Sequence, residues 1–294
     1  MTTPVSANPI GILGLGFLGK ILASDFADIQ ESWGTWHKNP PPESALKVFP
    51  FDWSSEKSWT SLPEFPVNLL LTIPPLLNDP KAEKVRLNQW CEWMNKNRPN
   101  IKRMIYISST GVYPKRNGLW HEDSEFEPDT NSGKLRLITE KTLGSFFKLH
   151  VVRPGGIYGY GRGIDVRLKS GKHIPVSGTP VHRIHVKDLA SIVFHLLDNP
   201  ESSGCVNAVD FDPKPSWKVA HWLVQNREDL SEDMLQDIPD SSASIPGNTQ
   251  RLISNQCLIE LGITLSYPTF REGMGKGTSR AKTLKIRSNQ TPKN

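Results

Sequence analysis

Three glycines near the N-terminus have the spacing of loops that bind phosphate groups. In the segment IGILGLGFLG, Gly14, Gly16 and Gly19 form a G-x-G-x-x-G pattern between a short apolar run and residues with helical periodicity. The first glycine allows a tight turn, the second lets the backbone approach a pyrophosphate, and the third lets helix and strand pack closely. We therefore expect a dinucleotide site that includes Phe17 and Leu18; the alternative is a purely structural glycine turn.

The end of the second expected strand bears on which dinucleotide binds. This strand ends in Thr35-Trp36-His37-Lys38, about 20 residues after the glycine loop, where an NAD site usually has an acidic residue for the ribose 2′-hydroxyl. This strand end has no carboxylate, and a cation suits a 2′-phosphate, so His37 and Lys38 favour NADP over NAD. The alternative for Lys38 is a solvated loop lysine.

Alternating strands and helices would bring these residues together. Strands are expected in the segments IGIL, SWGTWHKNP, KVFPFDWSS, VNLLLTIPP and IKRMIYISSTGVYP, with a helix at 81–97. Asp52 ends the third strand, where it could reach an adenine edge or cap a turn, and Pro74 and Pro75 end the fourth strand near the cofactor. The alternation predicts an α/β fold, a Rossmann-type doubly wound parallel sheet.

The remaining segments predict one more helix before a small C-terminal substrate lobe. Asn131 or Ser132 would cap the helix, Ser216 would cap a first lobe helix, and a second lobe helix is expected near 251–261. Residues 227–248 are acidic, rich in Ser and Pro, and expected to form a loop. The expected unit spans 8–272, with a dinucleotide-binding core of about 8–160 plus 185–210, a lobe of about 161–184 and 211–272, and a basic tail at 273–294.

Several later segments resemble a known family in order and spacing. They are YISSTGVYP (106–114), VVRPGGIYGYGRG (151–163), VHRIHVKDLASIVFHLL (181–197), CVNAVDFDP (205–213) and LIELGITLSYPTFREGM (258–274). Together they resemble the extended short-chain dehydrogenase/reductase superfamily of nucleotide-sugar epimerases and dehydratases. The last segment is similar to a small atypical subgroup often labelled sugar-nucleotide epimerase-like. One departure is Leu13, where epimerases of this class often carry a further glycine.

The resemblance implies a catalytic trio, of which this chain keeps only part. Ser109 stands where the family's Ser or Thr hydrogen-bonds the reacting oxygen; a strand-end turn residue is the alternative. Glu140 matches the glutamate that follows the family's Tyr-x-x-x-Lys pair, which places the lysine at Arg136 and the tyrosine at Ser132. Serine is a far weaker acid than a phenol, and arginine stays protonated. Catalysis therefore uses other groups or is absent.

Four other residues in the expected cleft are candidates for the missing catalytic groups. Tyr113 and Tyr158 are the tyrosines nearest in sequence to Ser132 and Arg136. The other two are His185 and Asp188, and the resemblance implies that they support structure rather than chemistry. Two arginines, Arg162 and Arg183, are equally plausible as ligands for a phosphate or carboxylate and as ordinary surface or packing residues.

The charge distribution argues against nucleic-acid readout by the body of the chain. The formal net charge is +5, and six Lys or Arg lie in 273–294, so the rest carries −1 (5 minus 6). We expect this tail to be disordered and solubilising; a weak anchor for nucleic acid or acidic lipid is the alternative. Three separated cysteines without a C-x-x-C pair argue against disulfides and a metal site.

The expected function follows from these motifs. We expect a cytoplasmic protein without a signal peptide or membrane span, which binds NADP or NAD and a small-molecule substrate and is open to homodimerisation. Its activity would be of the epimerase, dehydratase or reductase type, on a small phosphorylated or nucleotide-linked substrate, with a non-standard active site. The alternative is a catalytically silent NADP-binding regulatory or scaffold protein.

Overall fold

The fold is described from a computed structural model of the 294-residue chain. The structure describes residues 9–27, 29–41, 44–64, 68–101, 103–199, 204–240, 243, 245 and 249–275.

A seven-stranded parallel sheet forms the centre of the molecule. In chain order its strands are β1 (Ile10–Leu13), β2 (Trp33–Trp36), β3 (Lys47–Pro50), β4 (Asn68–Leu71), β5 (Arg103–Ile107), β7 (Leu149–Pro154) and β10 (Gly204–Ala208). Their spatial order is β10-β7-β5-β4-β1-β2-β3, so the chain reverses direction across the sheet between β1 and β4. Ligands of doubly wound sheets bind outside the carboxyl ends of the strands at such a switch point.

The remaining elements surround this sheet. The helices are α1 (Phe17–Asp25), α2 (Glu56–Trp59), α3 (Pro80–Asn97), α4 (Asn131–Phe146), α5 (Ile164–Lys169), α6 (Val186–Asp198), α7 (Ser216–Asn226), α8 (Gln256–Glu260) and α9 (Phe270–Met274). Two further strand pairs, β6 (Gly118–Trp120) with β11 (Arg251–Ile253) and β8 (Gly156–Tyr158) with β9 (Arg183–His185), form small parallel sheets.

Both faces of the central sheet are covered, which confirms the doubly wound α/β fold. Side chains alternate between the faces along each strand; in β4, Leu70 joins the core under α1 and α6, whereas Leu69 and Leu71 join the core under α3 and α4. The rings of Phe26 and Phe194, 5.0 Å apart, join α1 to α6.

A separate apolar cluster lies where the substrate lobe is expected. It joins α5, α7 and α9 through Leu168, Trp217, Leu223 and Phe270, and Tyr158 of β8 contributes to it. The proposed division of the chain into core and lobe stays a prediction.

Three sequence-based expectations about local structure were wrong. Helix α4 is capped by Thr130, whose hydroxyl accepts the Gly133 amide at 3.0 Å, because residues 131 and 132 are already helical. Helix α7 has Pro215 at its N-cap, since Ser216 is its first helical residue. Residues 251–253 form β11, not a helix, because they pair with β6, and α8 starts only at Gln256.

Two predicted segments, the 227–248 loop and the basic tail, are described only in part. The 227–248 segment contains a short 3-10 turn, Glu232–Leu235, within its loop. The expected tail boundary at 273 falls inside α9, which continues to Met274; the rest of the tail, 276–294, lies outside the described residues. In the part of the chain that the structure describes, none of the helices has the length and apolar character needed to span a membrane.

Candidate functional site

The glycine loop has the backbone geometry that its spacing predicts. Gly14 has φ +102°, and a Cβ there would lie 2.7 Å from the Thr72 hydroxyl oxygen. A Cβ at Gly19 would overlap the carbonyl oxygen of Gly14, so helix α1 lies directly against the turn. Gly16 differs from both, because a Cβ there would have no neighbour within 4 Å. The loop therefore faces open space at Gly16, the position where a phosphate would approach.

Two threonines from neighbouring strands hold this turn. The Gly14 amide donates to Thr35 Oγ1 at 2.9 Å, and the Leu15 amide donates to the Thr35 carbonyl at 2.8 Å. Thr72 Oγ1 donates to the Gly14 carbonyl at 2.6 Å. Neither threonine was predicted as a site residue, although Thr35 is the penultimate residue of β2 and Thr72 directly follows β4.

Helix α1 presents unbonded amides to the same space. Gly16 is its N-cap and Lys20 donates to the Gly16 carbonyl at 3.0 Å, so the amides of Phe17, Leu18 and Gly19 have no partner within the helix. Its first turn carries no acidic residue. The Leu18 side chain is buried and Phe17 is half-buried, so these residues offer an anion their backbone amides.

A cavity of about 210 Å³ continues from the glycine loop along the ends of β1, β2 and β3. Binding sites for whole small molecules usually occupy about 300–1,000 Å³, so this cavity suits one part of a dinucleotide. Its walls are formed by Gly14, Leu15, Gly16, Thr35, Trp36, His37, Asn39, Phe51, Asp52, Trp53, Ile73 and Leu76.

The structure brings some of the predicted cofactor residues into this cavity and leaves others at its edge. His37 Nε2 lies 3.7 Å from Asp52 Oδ2, and both residues line the cavity. Hydrogen bonds from Ser54 hold the pKa of Asp52 below its ordinary value, so this carboxylate is ionised. Lys38 is exposed and is not among the lining residues.

The loop after β4 forms the opposite wall. Ile73 and Leu76 line the cavity, with Pro74 exposed and Pro75 half-buried between them. The two prolines thus lie beside the cavity, while the contacts come from their neighbours.

A buried ion pair on α3 joins two walls of the cavity. Glu83 accepts the amides of Leu76 at 3.3 Å and Leu77 at 3.1 Å, and Arg86 donates to the same carboxylate at 3.0 and 2.5 Å. Arg86 also lies over the Trp53 ring, 4.3 Å from its centroid. Sequence reasoning missed this pair; the available signal was two opposite charges three residues apart on the apolar face that carries Leu87 and Trp90.

The residues expected to be catalytic lie at the end of β5 and the start of α4. Ser109 is half-buried and its hydroxyl accepts the Gly111 amide at 3.0 Å. Arg136 donates to the Ile107 carbonyl at 3.3 Å, so its guanidinium reaches the same strand end. Ser132 is exposed, one helical turn before Arg136.

Glu140 anchors this helix to the sheet. It accepts the Ser108 hydroxyl at 2.5 Å and two bonds from Arg153, at 3.2 and 2.7 Å. This buried network ties α4 to β5 and β7. The assignment of the family's lysine to Arg136 and of its tyrosine to Ser132 stays a prediction.

The two tyrosines near the cleft are held as structural groups. Tyr113 donates to Asn207 and accepts from Arg153, each at 2.8 Å, and Tyr158 donates to the Thr269 carbonyl at 3.3 Å. Burial raises the pKa of both phenols well above the ordinary tyrosine value. A phenol with a raised pKa gives up its proton less readily, so neither resembles an activated catalytic tyrosine.

His185 and Asp188 also have structural partners. His185 Nδ1 accepts the Lys187 amide at 3.3 Å, and burial lowers the pKa of its imidazole to about 4. Asp188 accepts the amides of Ser266 at 2.8 Å and Tyr267 at 2.9 Å. These contacts fix the segment before α9 against α6.

The two candidate arginines differ sharply. Arg183 is buried and donates to the carbonyls of Val181 and Lys214, both at 2.8 Å, and to the Ser216 hydroxyl at 3.0 Å, so it is a packing residue. Arg162 is exposed. Among the described residues, no group of three or more His, Cys, Asp or Glu side chains is arranged to hold a metal ion.

Curated relatives match part of the sequence. The chain is 36% identical over 115 residues to the chloroplast stem-loop binding protein of 41 kDa b of Arabidopsis thaliana, which covers 36% of this chain and 30% of that protein. It is 30% identical over 109 residues to protein YeeZ of Escherichia coli, covering 36% of this chain and 39% of YeeZ. The chain thus matches about a third of each relative's length. No family model matches the sequence.

Solved structures match nearly the whole chain. A protein of Methylobacillus flagellatus, provisionally named an NAD-dependent epimerase/dehydratase, superposes with a TM-score of 0.71 at 22% identity, over 92% of this chain and 97% of that one. MoeE5 in complex with UDP-glucuronic acid and NAD gives 0.66 at 16% identity, over 90% and 96%. A short-chain dehydrogenase/reductase superfamily protein from Agrobacterium tumefaciens with bound NAD gives 0.67 at 14%, over 90% and 94%. The chain therefore has the same fold as these epimerase/dehydratase and short-chain dehydrogenase/reductase proteins, which is the fold that its resemblance implied.

Proposed function

We propose that the chain binds a nicotinamide dinucleotide, with NADP preferred over NAD, in the crevice at the switch point of its sheet. The observation that carries this proposal is the open space at Gly16, which adjoins the free amides of α1 and the cavity along β1 to β3. The diphosphate would lie on the amides of Phe17 and Leu18, and the adenosine would enter the cavity. There the Asp52 carboxylate would accept a hydrogen bond from the adenine amino group.

The preference for NADP rests on the end of β2. His37 lines the cavity and Lys38 is the next residue, so a 2′-phosphate on the adenosine ribose would lie beside the His37 imidazole and within reach of the Lys38 ammonium group. Lys38 is exposed and unconstrained by packing, which leaves its long side chain free to reach that phosphate.

The chemistry proposed for this site is an epimerase, dehydratase or reductase reaction on a small phosphorylated or nucleotide-linked substrate. When bound, the nicotinamide supplies or accepts the hydride. The Ser109 hydroxyl, which accepts the Gly111 amide, keeps its own proton to donate to the reacting oxygen. Arg136 would stabilise negative charge on that oxygen but cannot move a proton, and Ser132 beside it would need a separate base.

A catalytically silent NADP-binding regulatory or scaffold protein is the second candidate. Two observations are compatible with it: Ser132, expected at the place of the family's tyrosine, is exposed, and burial raises the pKa of Tyr113 and Tyr158. A change in nicotinamide absorbance that requires both the protein and a carbonyl or sugar-nucleotide substrate would support the enzyme; binding without any turnover would support the silent protein.

The first test is titration calorimetry of the full chain with NADPH and NADH, alongside Gly16→Asp. A Cβ at position 16 would meet no residue other than its chain neighbours within 4 Å, so the variant should fold normally while its carboxylate repels the diphosphate. We expect NADPH to bind the native chain more tightly than NADH and the variant to lose both; Lys38→Ala should weaken NADPH about tenfold without changing NADH.

The matched control is Gly144→Asp, an exposed glycine near the end of α4, which should bind as the native chain does. Failure of the native chain to bind either dinucleotide at millimolar concentration would remove the proposed function. Equal binding by native chain and Gly16→Asp would place the ligand elsewhere.

A further inference from the structure

A short turn between β8 and α5 reaches toward the glycine loop. Gly159 and Arg162 exchange backbone hydrogen bonds of 2.8 and 2.9 Å, which closes the turn. Its base is fixed on α6, because a Cβ at Gly159 would lie 2.7 Å from Val186 Cγ1. Tyr160 and Gly161 at its tip are exposed. The turn is therefore anchored at one end and open to solvent at the other.

This turn places a guanidinium group beside the start of α1. Arg162 lies over the ring of Phe17, with its guanidinium carbon 5.3 Å from the ring centroid. Phe17 is the first helical residue of α1, directly after Gly16. Among the described residues, no carboxylate lies within 4.0 Å of the Arg162 nitrogens. The contact places the guanidinium itself over the ring, and its N–H groups donate to no acceptor among the described residues.

The start of α1 and the Arg162 guanidinium are both positive and lie close together. The N-terminus of a helix carries a partial positive charge, and a cation beside it is unfavourable. The first turn of α1 has no acidic residue that would offset either charge. A Cβ at Gly16 would meet no residue other than its chain neighbours within 4 Å, so the backbone directly before Phe17 is open. An anion in that space would satisfy the helix end and Arg162 together.

We propose that Arg162 binds the diphosphate of a nucleotide held at the start of α1. The proposal rests on the proposed function, because it assigns a further ligand residue to the same site. The diphosphate has two sources, the dinucleotide itself or a nucleotide-linked substrate. A guanidinium pairs with phosphate oxygens through two parallel hydrogen bonds.

Other arginines near the turn have protein partners that explain their positions. Arg183 is buried and bonded to two carbonyls and a hydroxyl. Arg167, five residues after Arg162, is exposed and donates to the His173 carbonyl at 2.9 Å. Arg167 therefore provides a matched control, an exposed arginine that is bonded to the His173 carbonyl and does not line the cavity beside the glycine loop.

The test compares native chain, Arg162→Gln, Arg162→Lys and Arg167→Gln by calorimetry, with circular dichroism to verify folding. The ligands are NADPH, UDP-glucose and adenosine 2′-phosphate, of which only the last lacks a diphosphate. We expect Arg162→Gln to weaken binding of the ligand that supplies the diphosphate by about tenfold or more, as for a lost hydrogen bond to a charged group. Arg162→Lys should recover part of the loss, and Arg167→Gln should change nothing.

The outcomes separate this inference from the proposed function. A loss confined to NADPH identifies the cofactor as the source, and a loss confined to UDP-glucose identifies the substrate. If Arg162→Gln binds both as the native chain does, or loses adenosine 2′-phosphate equally, the inference is overturned while the dinucleotide site stands. A native chain that binds neither NADPH nor UDP-glucose overturns both.

Discussion

Two buried titratable residues near β9 have opposite effects on stability as pH changes. Asp210 accepts the Arg183 amide at 3.2 Å, and burial raises its pKa from 3.8 to about 7. The folded chain thus holds a proton that the unfolded chain has lost, and this contribution to stability disappears as pH rises through 7. His182 accepts the Ile253 amide at 3.0 Å, and burial lowers its pKa from 6.5 to about 4. Its contribution is present above 6.5 and is lost as pH falls.

We therefore expect Asp210→Asn and His182→Gln to change the pH dependence of unfolding in opposite directions. Relative to the native chain, Asp210→Asn should be more stable at about pH 7.5 than at about pH 5, and His182→Gln should show the reverse. Urea unfolding at the two pH values measures both. Parallel shifts in the two variants would mean that these groups do not titrate as their burial implies.

Single residues could be predicted from the sequence where only one residue type fits the backbone conformation and the space around it. Gly14 and Gly19 could be predicted because a side chain at either would collide with the loop or its neighbours. Thr35 and Thr72 could not, since threonine is common in strands for other reasons and their hydrogen bonds depend on which strands flank β1. The roles of Ser109, Ser132 and Arg136 stay predictions.

The elements around the cavity depend on the Glu83–Arg86 pair of α3. Removing one partner of a buried ion pair leaves the other charge buried without a partner, which costs about 3–5 kcal/mol of stability. Glu83→Gln should therefore lower the free energy of unfolding by about that amount, and it should weaken NADPH binding, because the loop at Leu76 and the position of Trp53 both depend on the pair. Urea unfolding and calorimetry report the two effects.

A double variant separates stability from positioning. Glu83→Leu with Arg86→Met replaces the pair by apolar groups, which often restores stability, but it leaves the amides of Leu76 and Leu77 without their acceptor. We expect recovered stability with weak NADPH binding. Glu92→Gln, an exposed glutamate on the same helix, is the control. Native affinity in the double variant would show that the pair has no positioning role.

Elements with strong local patterns were predictable, and those made by distant pairing were not. The buried strands β1 and β4 have four consecutive buried residues each, and α3 shows its apolar stripe in sequence. In contrast, the three residues of β11 were expected to be helical because they come shortly before a helix in the sequence. Its strand conformation comes from pairing with β6, more than 130 residues earlier in the chain (Leu252 with Leu119). Such pairing has no local signature.

At the scale of the whole molecule, α9 closes the cluster shared by α5 and α7. Phe270 and Met274 are buried in it. Arg227, also buried, donates to Asp165 at 3.0 Å and to the Met274 carbonyl at 2.8 Å, so the last described helix is tied to α5 by a charged group as well as by apolar contact. Residues 273 and 274, which lie in the expected basic tail, are therefore part of this helix and of its packing.

Two truncations test this boundary. A chain ending after Gly275 keeps α9 and should retain the unfolding temperature and NADPH affinity of the full chain, whereas one ending after Thr269 loses Phe270 and Met274. Deleting a buried aromatic side chain alone costs about 3–5 kcal/mol, so the shorter chain should be strongly destabilised, as measured by urea unfolding.

The truncation after Gly275 also tests the basic tail. If the full chain binds nucleic acid in a salt-dependent way and the truncated chain does not, that binding belongs to the tail. Destabilisation by this truncation would show that the basic segment contributes to packing, contrary to the disordered tail expected from its composition.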